Sequence, residues 1–145
     1  MKKCLAALLV PALLASAAAF AADPNLEGVK CLTNPKAAAK ADKSVSYKGG
    51  KVFFCCDNCP KKFDAEKNAT AANHQLVQSG QAKQAKCPLS GGDLNPDTKI
   101  KVAGAEVSFC CNMCKGKVND AKGDAQIEMV FSNKAFEKAG FKVGK

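Results

Sequence analysis

The cysteines offer the most specific chemistry in this sequence, because eight of the nine fall into one arrangement that occurs twice. In each copy a lone cysteine precedes a C-C-x-x-C cluster. The members are Cys31 with Cys55, Cys56 and Cys59, and Cys87 with Cys110, Cys111 and Cys114. The clusters repeat at an offset of 55 residues (55 to 110) and the lone cysteines at 56 (31 to 87). Each copy therefore offers four sulfurs, the coordination number of a closed tetrahedral thiolate site.

Disulfide and redox chemistry are the alternatives to a metal site, since four cysteines also suffice for two bridges. Adjacent Cα atoms lie about 3.8 Å apart, whereas an ordinary bridge needs at least about 4.4 Å. The plausible disulfide framework therefore pairs Cys31 with Cys55 and Cys56 with Cys59, and likewise in the second copy. A redox protein would use the two C-x-x-C sequences, but a thioredoxin-like motif follows a strand of a βαβ unit. Metal binding is the preferred interpretation, and both alternatives stay open.

The spacing within a cluster limits which sulfurs can face one ion. Successive residues of a strand point to opposite faces, so Cys55 and Cys56 both face an ion only if the strand ends there. Cys55 and Cys59 lie on the same side if the chain enters a helical turn. Cys56 and Cys59 fit a tight knuckle, and the start of a following helix would favour thiolates. The lone cysteine must then arrive from the loop before the strand.

The elements that position these cysteines also repeat. Residues 45–54 overlay residues 100–109, with apolar residues alternating on both sides of a glycine-containing turn, which is typical of a β-hairpin. Residues 61–72, and more weakly 115–124, have helix-compatible composition, and each copy ends in a short apolar segment. The pattern predicts an α+β fold of two tandem hairpin-plus-helix modules, residues 22–82 and 83–145. A unit of this size buries a modest core that cross-links or metal would supplement.

The first 21 residues have the features of a secretory signal peptide. Lys2 and Lys3 precede an apolar run, and small residues allow cleavage near Ala21 and Ala22. We expect Cys4 to leave with the leader, and we expect no stable membrane insertion after cleavage. This predicts a periplasmic or secreted protein, in which clustered thiols must be paired, metallated or redox-active.

Charge and motif content exclude several functions. The chain after the leader carries 20 lysines against 13 acidic residues, a net charge of +7, and no arginine. Arginine is the usual side chain for reading phosphates and guanines, so the basic balance argues against nucleic acid. No catalytic arrangement and no site for an organic cofactor stands out, which favours a non-enzymatic protein. The sequence does not indicate a protein partner.

The cysteine pattern resembles the YHS and TRASH-like group of small metal-binding modules, which are related to treble-clef zinc fingers. The resemblance rests on Cys31, Phe54-Cys55, Cys59 and Phe63, then on Cys87-Pro88, Phe109-Cys110 and Cys114. It implies a treble-clef-like fold and one metal ion per module. The ligands that it implies are Cys31, Cys55 and Cys59, and Cys87, Cys110 and Cys114.

Cys56 and Cys111 stand where that group often has serine, and we interpret them as a source of the fourth ligand. A closed four-thiolate site suits Zn²⁺, whereas an open three-thiolate site suits Cu⁺. Zn²⁺ is the expected ion and Cu⁺ the alternative.

Three other residues have weaker patterns. His74, the one histidine, aligns with Ile127, so we expect it to pack rather than to bind metal. Met129 aligns with Leu76 and is expected in the core. Met113, inside the second cluster, is a candidate thioether ligand.

Overall fold

A computed structural model describes residues 23–144, so the predicted leader and Cys4 lie outside the described residues. The fold is α+β with small antiparallel hairpins, as the sequence predicts. The strands are β1 (Lys40–Tyr47), β2 (Gly50–Phe54), β3 (Ala82–Lys83), β4 (Asn95–Val102), β5 (Ala105–Phe109) and β6 (Lys142–Val143). The helices are α1 (Ala69–Gln78), α2 (Asn112–Asp120), α3 (Asp124–Phe131) and α4 (Asn133–Lys138), with a 3-10 turn at Pro60–Lys62.

Two matching hairpins deliver the cysteine clusters. β1 pairs with β2, and β4 pairs with β5. Each turn has two residues with positive φ, Lys48 and Gly49 in one and Ala103 and Gly104 in the other. Such turns match the twist of the flanking strands. Both β2 and β5 end at the residue before the cluster, so the first cluster cysteine leaves the sheet directly.

The helix predicted for residues 61–72 is misplaced. After the 3-10 turn the chain becomes extended at Phe63, and α1 begins only at Ala69. The Asp64 side chain accepts hydrogen bonds from the N–H groups of Glu66 and Lys67, which holds these residues in a turn. Such side-chain bonds compete with helix formation. Residues 73–78, which were expected to belong to the short apolar segment after the helix, therefore form most of α1.

The second module forms its helix where the first does not. α2 starts immediately after Cys111, whose extended backbone marks the helix boundary, and it continues through Gly116. Gly123, with a φ of 56°, then separates α2 from α3. The prediction for residues 115–124 is thus correct in element type but starts three residues late and runs across a break. A side chain at that φ would be strained.

Helix α1 lies between the two hairpins and contacts β2, β5, α3 and α4. Its Leu76 is fully buried in the first core with Phe54 and Val52, and Val77 packs against both the first and the second core. One helix of the first module therefore serves both halves.

The C-terminal segment of the second module returns to the first. Phe136 of α4 is buried in the core that holds Cys31 and Phe54. Phe141 stacks on Phe136 with 4.7 Å between ring centroids and also packs against the second core. β6 pairs with β3, which joins the chain end to the segment between the modules. The two predicted modules thus share core side chains; the boundary between residues 82 and 83 stays a prediction.

Two further placements concern single residues. His74 donates from Nε2 to the carbonyl oxygen of Ala103 at 3.0 Å and stacks near Phe131, so it packs between the halves. Met129 is 37% exposed, so its predicted core position is wrong: Val130 and Phe131 fill the core side of α3. Among residues 23–144, no helix has the length and apolar composition that a bilayer crossing requires.

Candidate metal centres

Site one consists of Cys31, Cys55 and Cys59, whose sulfurs all lie within 4.8 Å of one another. Cys55 follows β2, and Cys59 begins the 3-10 turn four residues later, which brings their sulfurs to 3.6 Å. Cys31 arrives from the loop before the hairpin and is buried. The helical turn that the i, i+4 spacing requires is therefore present.

Site two consists of Cys87, Cys110 and Cys114, with sulfurs again within 4.8 Å of one another. Cys110 follows β5, and Cys114 lies in the first turn of α2, with 3.7 Å between their sulfurs. Cys87 is fully buried and comes from the segment after β3. The two copies therefore converge on the same three-sulfur arrangement.

These separations fit a metal ion. A Zn–S bond of about 2.3 Å with tetrahedral angles places two sulfurs about 3.8 Å apart. The observed values of 3.6 and 3.7 Å for the cluster cysteines are close to that edge. The two cluster sulfurs of each triad can thus meet one ion with shifts of a few tenths of an ångström, and the lone cysteine lies within 4.8 Å of both.

Cys56 and Cys111 lie beside the triads without joining them. Cys56 is exposed, and its sulfur is 3.4 Å from that of Cys59. Cys111 is exposed too, but its nearest sulfur contact is Cys110, at 3.7 Å. Neither sulfur belongs to the groups that lie within 4.8 Å of one another. Each triad therefore has a further thiol in contact with one of its sulfurs, which is Cys59 at site one and Cys110 at site two.

Hydrogen bonds favour a thiolate at Cys31. Burial by itself would raise the pKa of this thiol, but the backbone N–H groups of Cys55 and Thr33 donate to its sulfur and outweigh that effect. The Thr33 hydroxyl, 3.7 Å away, adds to them, and the pKa falls to about 7. Cys31 thus ionises at a lower pH than an ordinary cysteine thiol.

Cys87 has the same role in site two and ionises more readily. Burial again opposes ionisation, but the hydroxyl and N–H of Ser90 and the N–H of Cys110 together lower the pKa to about 6. The Ser90 hydroxyl also lies 3.1 Å from the Cys110 sulfur. Ser90 therefore touches two ligands of site two.

The thiols of Cys55 and Cys114 hold their protons more tightly than an ordinary cysteine, because the pKa of each is raised. Hydrogen bonding with the Cys59 thiol raises the pKa of Cys55 to about 12. Burial, together with contacts to the Cys110 thiol, raises the pKa of Cys114 to about 12. A metal ion that binds either triad must displace such protons.

Charged and apolar side chains differ around the two sites. Near site one, Asp57 forms an ion pair with Lys43, with 2.7 Å between Oδ1 and Nζ. The hydrogen bond of this pair lowers the pKa of Asp57. In site two, Met113 occupies the second position after Cys111 and is 71% exposed. The position of Met113 in the cluster made it a candidate ligand, but its exposure and the Lys43–Asp57 ion pair depend on the tertiary structure.

Sequence reasoning identified all six triad cysteines but not the groups that hydrogen-bond to them. Thr33 and Ser90 each follow a lone cysteine by two or three residues, a local spacing that fits a hydroxyl reaching back to sulfur. No protein-family model, curated protein or solved structure matches the chain. Membership of the YHS and TRASH-like group therefore stays a prediction.

Proposed function

We propose that this protein is an exported, non-catalytic metal-binding protein that holds one ion in each cysteine triad. The observation that carries the proposal is the convergence of three sulfurs, from three separate positions in the chain, at both sites. Zn²⁺ is the expected ion and Cu⁺ the alternative.

The odd number of convergent sulfurs favours metal over disulfides. A bridge within a triad uses two sulfurs and leaves the third to pair with Cys56 or Cys111. In the second cluster the Cys111 sulfur contacts Cys110 rather than Cys114, whereas a metal ion uses all three triad sulfurs at both sites. Cys31 and Cys87 are buried and hydrogen-bonded in ways that stabilise a thiolate, which is the metal-binding form. A buried thiolate without a cation beside it would be costly.

The state of Cys56 and Cys111 separates the two metals. If these exposed thiols rotate toward the triads, each site becomes a closed four-thiolate centre, which suits a structural Zn²⁺. If they remain outside, each site is a three-thiolate centre of the soft type that selects Cu⁺. Their exposure supports a role in taking up or passing on the ion.

Export is supported by the charge and apolar pattern of residues 1–21, and it fits the chemistry of the sites. In an oxidising compartment clustered thiols tend to form disulfides. Bound metal would keep the thiolates from that reaction, so loading before or during export would preserve both sites.

The test is to isolate the protein from the compartment to which it is exported, measure bound metals, and titrate thiols after denaturation with and without a chelator. We expect about one ion per triad and thiols that become reactive when the chelator removes it. A Cys56→Ser, Cys111→Ser double variant should retain Cu⁺ but lose Zn²⁺ affinity. Absence of metal with all thiols oxidised would overturn the proposal in favour of disulfides.

The second candidate is thiol–disulfide chemistry at Cys56 and Cys59, favoured by their 3.4 Å sulfur separation. Formation of this bridge by exchange with a small disulfide would release two thiols from the oxidant. Protein that exchanges reversibly and binds no metal would support this function instead.

A further inference from the structure

Each candidate metal site is bordered by a glutamine whose side-chain amide joins the two chain segments that supply its cysteines. At site one, Gln75 of α1 is buried, and its Oε1 accepts a hydrogen bond from the N–H of Phe53 at 2.6 Å. Its Nε2 donates to the carbonyl oxygens of Phe53, at 3.0 Å, and of Lys30, at 2.8 Å. Phe53 precedes Cys55 by two residues, and Lys30 directly precedes Cys31.

At site two, Gln84 makes the same three hydrogen bonds. Its Oε1 accepts from the N–H of Ser108 at 2.9 Å. Its Nε2 donates to the carbonyl oxygens of Ser108, at 2.7 Å, and of Lys86, at 2.9 Å. Ser108 precedes Cys110 by two residues, and Lys86 directly precedes Cys87. The pattern around the second site is therefore identical, atom for atom.

The two glutamines are not related by the sequence repeat. Gln75 follows Cys31 by 44 residues, whereas Gln84 precedes Cys87 by three, where the first copy has Gly28. Two unrelated positions thus supply the same amide to the same place. Both Nε2 protons are used and the oxygen accepts from a backbone N–H, which fixes the orientation of each amide.

We infer that Gln75 and Gln84 are positioning residues that hold the lone cysteine of each site at ligand distance from its cluster. This inference rests on the proposed metal function. Without the amide, the loop that supplies Cys31 keeps the hydrogen bond from the Leu32 N–H to the Phe53 carbonyl, at 3.3 Å, and the one from the Cys55 N–H to the Cys31 sulfur. The glutamine supplies the bond to Lys30, the residue directly before that cysteine. Residues that orient ligands commonly change metal affinity by about 10- to 100-fold when mutated.

Gln81 provides a matched control. Its amide accepts from the N–H of Lys51 and donates to the carbonyl of Lys51, both at 2.8 Å, so it binds the same edge of β2. It also donates to the Ser79 hydroxyl, but it makes no bond to a segment that precedes a lone cysteine. Loss of Gln81 therefore removes comparable hydrogen bonds and leaves the geometry of both sites unchanged.

The experiment is a Co²⁺ titration of the metal-free chain, monitored by the thiolate charge-transfer bands. Each site is isolated by replacing the three triad cysteines of the other site with serine. We expect Gln75→Ala to weaken site one, and Gln84→Ala to weaken site two, by about 10- to 100-fold. Each variant should also show the spectrum of one thiolate fewer, while Gln81→Ala matches the unsubstituted chain.

Gln75→Glu distinguishes positioning from simple packing. Glutamate fills the same volume and still accepts from Phe53, but it cannot donate to Lys30. We expect it to bind Co²⁺ as weakly as Gln75→Ala; affinity equal to that of the unsubstituted chain would overturn the inference. If Gln75→Ala does not fold, the Gln84 arm decides the matter separately, since Gln84 is less buried.

The two failures are distinguishable. If the unsubstituted chain takes up no Co²⁺, the proposed function fails and the positioning role fails with it. If it takes up Co²⁺ but Gln75→Ala and Gln84→Ala bind no more weakly than Gln81→Ala, only the positioning role is wrong.

Discussion

The two candidate metal sites share the spacing within their cysteine clusters but differ in what surrounds the sulfurs. Site one is followed by a 3-10 turn and site two by the helix α2. The cysteine outside each triad also has a different neighbour: Cys56 contacts Cys59, whereas Cys111 contacts Cys110. Equal spacing within the clusters therefore brings Cys55 beside Cys59 and Cys110 beside Cys114, whereas the environment of each sulfur depends on residues between and beyond the cysteines.

The two hairpins also share their architecture but differ in the residues that stabilise their first strands, β1 and β4. Both first strands are irregular in register near their starts. In the second hairpin the buried Thr98 hydroxyl accepts from the Phe109 N–H at 2.9 Å and donates to the Asn95 carbonyl at 2.6 Å. In the first, the corresponding residue (98 − 55 = 43) is Lys43, which pairs with Asp57 at the surface. The irregular part of the second hairpin is thus stabilised by a buried hydroxyl, and that of the first by an ion pair at the surface.

The largest expected effect concerns Phe136, which lies in the second half of the chain but packs in the core of the first. Phe136→Ala should lower the free energy of unfolding by about 3–5 kcal/mol, because it opens a cavity in a fully packed core. Urea unfolding followed by Tyr47 fluorescence and by circular dichroism measures this, and both transitions should shift together. Glu137→Ala, on the exposed side of the same helix, is the control. A Tyr47 transition that does not move would show that the first module folds independently.

Thr98→Val should destabilise the second hairpin by about 1–3 kcal/mol, because it leaves the buried Phe109 N–H without its acceptor. Lys43→Ala should have little effect, because exposed ion pairs contribute little to stability. Chemical denaturation of the two variants measures the difference. If both variants lost the same free energy of unfolding, the distinction between the buried Thr98 bonds and the exposed Lys43 ion pair would be wrong.

Ser90→Ala should weaken metal binding at site two by up to about tenfold, about 1.4 kcal/mol, since Ser90 touches both Cys87 and Cys110. Site one should be unaffected. Competition with a chromogenic chelator, in chains with one triad intact, gives both affinities. Thr33→Ala serves as the reciprocal variant, and it should have a smaller effect because its hydroxyl lies 3.7 Å from Cys31.

The smallest expected difference concerns pH. In the metal-free chain the pKa of Cys87 is about 6 and that of Cys31 about 7. Both lie below the ordinary value, so thiolate forms as pH rises through them, first at site two and then at site one. Between these values we expect a larger thiolate fraction at Cys87 than at Cys31. The measurement is the ultraviolet thiolate absorbance of chains with one triad intact, in which Cys56 and Cys111 are also replaced by serine because their pKa values are lowered too. A reversed order of ionisation would contradict the prediction.

Local patterns predicted some features and not others for identifiable reasons. The alternation of Val52 and Phe54 predicted β2, because a strand is defined by neighbours two residues apart. The start of α1 was misplaced because the Asp64 side chain bonds to the following N–H groups, which composition does not reveal. Met129 was misplaced because the alignment of α1 with α3 differs by one position in which residues face the core.

The sequence by itself determined the number, kind and spacing of the sulfurs and the hairpins that deliver them, since these depend on residues close along the chain. Only the tertiary structure decided that Phe136 completes the first core and that α1 serves both halves. It also decided that Gln75 and Gln84, from unrelated positions, tie each lone cysteine to its cluster. An amide can reach whichever backbone groups lie beside it in space, and no spacing along the chain records that proximity.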